Sequence, residues 1–297
     1  AVSIVTPNHL HADAAVAFLE AGIHVICDKP LSVSQAEGLR IKRCLQESSA
    51  QFFLTHNYTG YPLIREARDM ISTGKLGKIR VVQAEYAQDW LAEPLEKTGQ
   101  KQASWRTDPK ATGGGGAIGD IGTHAYNLVH YITGLEAQEL AADLTSFVPG
   151  RAVDDNAHIW LRFKGGAKGQ LWVSQVAVGN ENALRLRIYG DKGGLEWEQE
   201  NPNILWFTPL GGLRQRLTRG SGALSEAATA ATRIPAGHPE GYLEAFATLY
   251  SDVADVLVNG ASAHHLPNIM DGLDGMWFIE ACIASSKNNG TWCERNL

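Results

Sequence analysis

Sulfur is scarce in this chain. Its four cysteines, Cys27, Cys44, Cys282 and Cys293, are scattered and form no Cys-x-x-Cys pair. Such spacing supplies neither a zinc framework nor a disulfide scaffold, and a reducing cytosol is the expected compartment. Long apolar runs are also missing: none approaches the ~18 residues that a membrane helix needs. Nor is there an excess of positive charge. Lys and Arg number 26 against 32 Asp and Glu, a net charge of −6. That balance excludes the electrostatic footprint of a nucleic-acid or anionic-membrane binder. No repeat recurs along the chain. What remains is a globular composition, 297 residues and 44% hydrophobic, long enough for two domains.

Short apolar runs and helical patterns alternate over residues 1–56. Strands are expected at Val2–Val5, His24–Cys27 and Gln51–Thr55. Helices are expected at His11–Ala21 and at Ser32–Ser48, with Ser32 as N-cap. This alternation predicts βαβ units and a parallel sheet. Ligands of open parallel sheets lie at the carboxyl ends of the strands. Two loops occupy those ends, Thr6-Pro7-Asn8-His9-Leu10-His11 and Asp28-Lys29-Pro30. The first strand is already under way at residue 1, so the Rossmann-type sheet is expected to be incomplete at this end.

Past a helix around Ile64–Ile71 the pattern changes. Strands are expected at Ile79–Tyr86, Glu139–Phe147, Asn156–Phe163, Gly169–Val176 and Leu184–Tyr189, with tight turns among the later ones. The spacing predicts an open, mostly antiparallel sheet. Gly211–Gly237 reads as a mobile loop or lid, and helices over Tyr242–Val258 and Asn268–Ser286 end the chain. The expected fold class is therefore α/β: a Rossmann part over 1–56 and a second α/β domain over 57–297.

Between these strands stands Gly113-Gly114-Gly115-Gly116-Ala117-Ile118-Gly119-Asp120-Ile121-Gly122-Thr123-His124. Ile121, Ala125, Leu128, Val129 and Ile132 form one apolar helical stripe. Asp120 and His124, four apart, are expected to be neighbours on the adjoining polar stripe. A carboxylate that orients an imidazole is an acid/base unit. Gly114-x-Gly116-x-x-Gly119 also fits the dinucleotide fingerprint in form. It follows a polar loop, Ser104–Lys110, and not a strand, so the phosphate-loop reading is rejected. Its glycines are read as serving close backbone approach. His9 and His11, two apart with no further ligands, are poor metal evidence, and no metal is expected.

Three motifs, Thr6-Pro7-Asn8 with His11, Cys27-Asp28-Lys29-Pro30, and Gly-Gly-Gly-Ala-x-x-Asp120-x-Gly-x-His124, stand in an order that resembles the Gfo/Idh/MocA family of NAD(P)-dependent sugar and polyol dehydrogenases. The resemblance implies a Rossmann domain followed by an α/β domain on an open sheet. Lys29 takes the place of the family's catalytic lysine, with Asp28 where a Glu is usual, and Asp120 and His124 complete the catalytic group. The cofactor, NAD or NADP, is expected to meet Thr6, Pro7, Asn8, His11, Asp28, Lys29, Pro30, Trp105 and Arg106. The family's phosphate loop is expected upstream of residue 1.

The substrate, a cyclic polyol, sugar or sugar derivative, is expected to meet Lys29, Asp89, Trp90, Arg106, Asp120, His124 and His238, the last in a His-Pro-Glu-Gly segment similar to one in a sugar-acting branch. Trp faces and an Arg fork suit sugar rings and hydroxyl edges. His124 is the expected general base, Asp120 its orienter, and Lys29 the stabiliser of the alkoxide or, if burial lowers its pKa, a relay for the proton. A homodimer or homotetramer formed through the second sheet is implied as well. An NAD-dependent glycoside hydrolase and a non-catalytic sugar or nucleotide sensor remain alternatives on the same fold.

Overall fold

The computed structural model describes residues 1–296. Its first layer is a parallel sheet in the order β1 (Val2–Ile4), β2 (Val25–Asp28), β3 (Phe52–Thr55). Helices α1 (His11–Glu20) and α2 (Gln35–Glu47) make the crossovers. Strands β2 and β3 are nearly all apolar and buried, as strands covered on both faces must be, whereas β1 exposes Ser3. One cover is α9 (Ile269–Lys287), packed on β3 and α2. Another is α8 (Tyr242–Asn259), whose Leu249, Val253 and Val256 cluster with Ile26 and Phe53. The end of the chain thus folds back over its beginning. Helix α2 starts later than expected. Ser34, not Ser32, caps it by accepting the Glu37 amide at 3.3 Å, while the Ser32 hydroxyl donates to the Ser34 carbonyl.

The second layer is a nine-stranded sheet. After α3 (Pro62–Ser72) come β4 (Ile79–Ala87), the short helices α4 (Lys101–Arg106) and α5 (Pro109–Thr112), and α6 (Thr123–Thr133). Then follow β5 (Ala137–Thr145), β6 (Asn156–Phe163), β7 (Lys168–Ser174), β8 (Ala183–Gly190), β9 (Gly193–Glu198), β10 (Ile204–Pro209) and β11 (Gln215–Thr218). The short α7 (Glu226–Ala231) precedes α8, and β12 (Cys293–Glu294) follows α9. The order is β11-β10-β9-β8-β4-β7-β6-β5-β12, antiparallel throughout except where β4 lies parallel to β7.

Side chains alternate as a half-covered sheet requires. Ala157, Ile159, Leu161 and Phe163 of β6 face the helices, whereas His158 and Trp160 face outward. The apolar stripe of α6 is wholly buried between β4 and α3.

The structure corrects one reading of this half. Gly211–Gly237 is not an uninterrupted loop. It holds β11, which pairs with β10, and α7, which packs on α3. The Arg219 guanidinium pins the rest by donating to Asn203 Oδ1 and to the carbonyls of Ile234, Pro235 and His238.

Candidate active site

The carboxyl ends of β1 and β2 open onto a cavity of about 920 Å³. One wall is Thr6, Pro7 and Asn8 after β1, with Asp28, Lys29 and Pro30 at the end of β2. The opposite wall comes from the second layer: Gly115, Gly116, Asp120 and His124, then Tyr86, Gln88 and Trp90 around the end of β4. Trp105, Arg106, Asn182 and Tyr242 complete the lining used below.

The glycine run brings the walls together. A Cβ on Gly113 would stand 2.1 Å from the Val33 carbonyl oxygen, and φ there is +80°. A Cβ on Gly116 would stand 2.0 Å from the carbonyl oxygen of Asp154. No side chain fits either gap. Asp154 fixes the run from beneath, its carboxylate accepting the amides of Gly116 at 2.7 Å and Ile118 at 2.9 Å. Burial pushes the Asp154 carboxyl up to about 6, against the pull of those two amides.

The next turn, Ile118–Gly122, is a π-turn. An extra residue in a turn shifts the side chains on its two sides relative to each other. Asp120 and His124, expected to be partners, share no hydrogen bond among the described residues. Asp120 is held instead by charge and by an amide. Lys29 Nζ donates to its carbonyl oxygen and, at 3.1 Å, to Oδ1. Gln175 Nε2 donates to Oδ2 at 2.9 Å, and Arg106 Nε stands 3.3 Å from the same oxygen. Burial works against the Asp120 charge, but Lys29 and Arg106 outweigh it and hold the carboxyl below the usual carboxylate range.

His124 is held by rings. Tyr58 meets it edge-on at 4.9 Å and 75°, and His56 at 5.7 Å and 85°. Its Nδ1 is buried without a partner among the described residues, which leaves Nε2 as the nitrogen for the cavity. Burial lowers the His124 pKa well below the ordinary value, helped by the Lys29 charge and by His56. His56 is brought down to about 3 by burial and Lys29. Both rings are therefore neutral at pH 7.

The cavity gathers most of the expected site residues: Thr6, Pro7, Asn8, Asp28, Lys29, Pro30, Trp90, Trp105, Arg106, Asp120 and His124 all line it. Three do not. His11 is fully buried; its ring bridges the carbonyls of Pro30 and Thr6, at 2.9 and 2.8 Å, and so braces the two strand-end loops from behind. Asp89 turns away from the cavity to accept the Gly179 amide at 2.9 Å. His238 is exposed and outside the cavity, with its carbonyl accepting from Arg219, and Tyr242 of the same segment lines the cavity instead.

Other lining residues were not anticipated: Asn57, Tyr58, Tyr86, Gln88, Asn182 and Tyr242. For Tyr86 and Gln88 a signal existed. Tyr86 closes the strand expected over Ile79–Tyr86, and Gln88 follows directly after β4.

Comparison with known proteins settles the kinship. Residues 1–56 match the family model described as oxidoreductase family, NAD-binding Rossmann fold, and residues 64–196 match the GFO/IDH/MocA C-terminal domain. The uncharacterized oxidoreductase YfiI of Bacillus subtilis is 34% identical over 99% of this chain and 77% of its own length. The chain belongs to the Gfo/Idh/MocA oxidoreductase family. Two solved structures are similar over nearly all of this chain. An oxidoreductase from Sinorhizobium meliloti is 51% identical with a TM-score of 0.89, covering 99% of this chain and 79% of its own. An inositol dehydrogenase homolog from Azotobacter vinelandii, complexed with NAD+, is 34% identical with a TM-score of 0.92, covering 99% and 78%.

Proposed function

We propose that the cavity oxidises a secondary hydroxyl of a cyclic polyol, sugar or sugar derivative with NAD or NADP. One observation carries the reading: Lys29, arriving from a Rossmann strand end, meets Asp120 and His124 of the other wall in a single cavity. The strand-end residues suit the nicotinamide half of a dinucleotide, with Thr6, Pro7, Asn8, Asp28, Pro30, Trp105 and Arg106 holding it. Asn57, which lines the cavity with a buried and unpartnered Nδ2, offers a further donor. The bound nicotinamide supplies the hydride acceptor.

The chain handles the proton. His124 Nε2, neutral at pH 7, accepts it from the substrate hydroxyl. Its lowered pKa, caused first by burial, leaves the ring neutral before the transfer. The Lys29 ammonium stabilises the developing alkoxide. Asp120 acts on Lys29 by fixing the ammonium from two of its oxygens, and so contributes to catalysis without touching His124. The division into a cofactor part (1–56) and a substrate part (57–297) belongs to the same proposal. So does self-association through the outer sheet face, where Trp160 is 54% and Val81 40% exposed. Appearance of NADH or NADPH absorbance over a panel of cyclic polyols and sugars tests the reading. Glycosidic cleavage without net reduced cofactor would overturn it.

A further inference from the structure

Behind Tyr58 runs a chain of hydrogen bonds whose direction is fixed by elementary chemistry. Trp90 Nε1 donates to Gln88 Oε1 at 3.0 Å. An indole nitrogen can only donate, so Oε1 is the accepting end of Gln88 and Nε2 the donating end. Gln88 Nε2 lies 2.7 Å from Asn182 Oδ1 and donates to it. Asn182 is held the same way round by its other end, since Nδ2 donates to Gln199 Oε1 at 2.9 Å. Tyr86 Oη, 2.8 Å from Asn182 Oδ1, must therefore be a donor.

A hydroxyl has one proton, and that of Tyr86 is committed to Asn182. The 2.5 Å contact between Tyr58 and Tyr86 must then be donated by Tyr58. The Tyr58 proton is committed in turn. Of its two lone pairs, one receives only a long contact from Asn182 Nδ2 at 3.5 Å. Both phenols are 3% exposed, and burial holds the Tyr58 pKa up at about 12, so the protons stay in place. Tyr58 lines the cavity with its ring against that of His124.

We propose that Tyr58 Oη is an obligate acceptor, which reads a second donor group on the substrate beside the reacting carbinol and so selects vicinal diols or amino alcohols. This rests on the dehydrogenase reading above. A substrate lacking that donor leaves a buried oxygen facing an unmatched group. A site built to bond a hydroxyl rejects such analogues strongly. Trp90 sets the polarity of the chain although its indole nitrogen is four hydrogen bonds away from Tyr58 Oη.

The test uses the full chain with NAD or NADP and myo-inositol, glucose and further cyclic polyols. For the polyol turned over best, each hydroxyl beside the oxidised carbon is replaced by fluorine, which resembles it in size but cannot donate. Wild-type kcat/KM is expected to fall at least about 50-fold for one fluoro analogue, within the range for unmatched hydrogen-bonding groups. In Tyr58→Phe the ratio of parent to analogue should shrink to within about fivefold, chiefly through loss on the parent. In Tyr86→Phe the Tyr58 hydroxyl is free to turn and donate, so the fluoro analogue should gain relative to the parent. Turnover of every fluoro analogue within fivefold of the parent by the wild type overturns the inference while leaving the dehydrogenase reading intact. Unchanged discrimination in Tyr58→Phe does the same. If no polyol reduces the cofactor, the dehydrogenase reading fails and this inference falls with it.

Discussion

Asp120 and His124 lie four residues apart on one short stretch, yet their surroundings are opposite. Asp120 is flanked by an ammonium, a guanidinium and an amide, and stays ionised although its side chain is only 22% exposed. His124 has no polar partner for Nδ1 and is positioned by the edges of Tyr58 and His56. A buried charge needs compensation on every side, whereas a neutral ring needs only shape. The same wall can therefore hold one group permanently charged and keep its neighbour neutral and ready to accept a proton. Lys29 serves both ends: its charge helps to keep Asp120 ionised, and it adds to the burial that leaves His124 neutral before the reaction.

The largest effect should come from removing what the two environments share. Lys29→Ala is expected to lower kcat by ~10³-fold or more, the scale of losing a charge aimed at a developing oxyanion, with unchanged circular dichroism. Near-normal turnover would remove Lys29 from the mechanism. Asp120→Asn breaks only the charged side, and a loss of about 10–100-fold in kcat is expected on the scale of general acid–base positioning. The ring signals of His124 should not move in that variant. If they shift as much as kcat falls, the two environments are not separate.

The aromatic side is sharpened by titration. A histidine whose pKa is lowered stays neutral above that value, so the His124 ring protons should show no inflection between pH 6 and 8. In Lys29→Met the second-largest cause of the lowering is gone, and the titration should move up in pH. A wild-type inflection near 6.5 would contradict the burial argument.

The smallest expected effect is at Asp154, under the glycine run. Its folded pKa of about 6 exceeds that of an ordinary carboxyl, so the folded state binds the proton more tightly. Its contribution to stability is complete below the unfolded value and is lost as pH rises through about 6. Asp154→Asn should flatten that decline, with a change on the order of 1 kcal/mol from the altered cap hydrogen bonds. Urea denaturation at pH 4.5 and pH 7 compares the two slopes, and parallel slopes would count against it.

Much of this was legible in the residues. Local apolar periodicity marked the parallel strands, most of the second sheet and both terminal helices, and motif order placed Lys29, Asp120 and His124 together. The pairing of Asp120 with His124 failed because a four-residue spacing presumes a regular α-turn, and the π-turn breaks that presumption. Strands β9 to β11 escaped notice because β9 opens on two glycines, β10 is an apolar run without alternation and β11 is only four residues long. Gln175, Asn182 and Tyr58 escaped for another reason. Their partners lie far along the chain, as Asp120 lies 55 residues from Gln175 and 91 from Lys29, and no local pattern encodes such a meeting. Asp89 and His238 had plausible chemistry, but Asp89 is taken up by the Gly179 amide and the His238 segment is fixed through its carbonyl by Arg219.

The contact between Gly113 and Val33 has one more consequence. The two layers touch there main chain to main chain, with no side chain between them. Side chains can change rotamer and absorb a misfit; peptide planes cannot. The spacing across which Lys29 reaches Asp120 is thus gauged by the stiffest material in the molecule. Substitutions elsewhere in either core would have to bend backbone before they could detune the site.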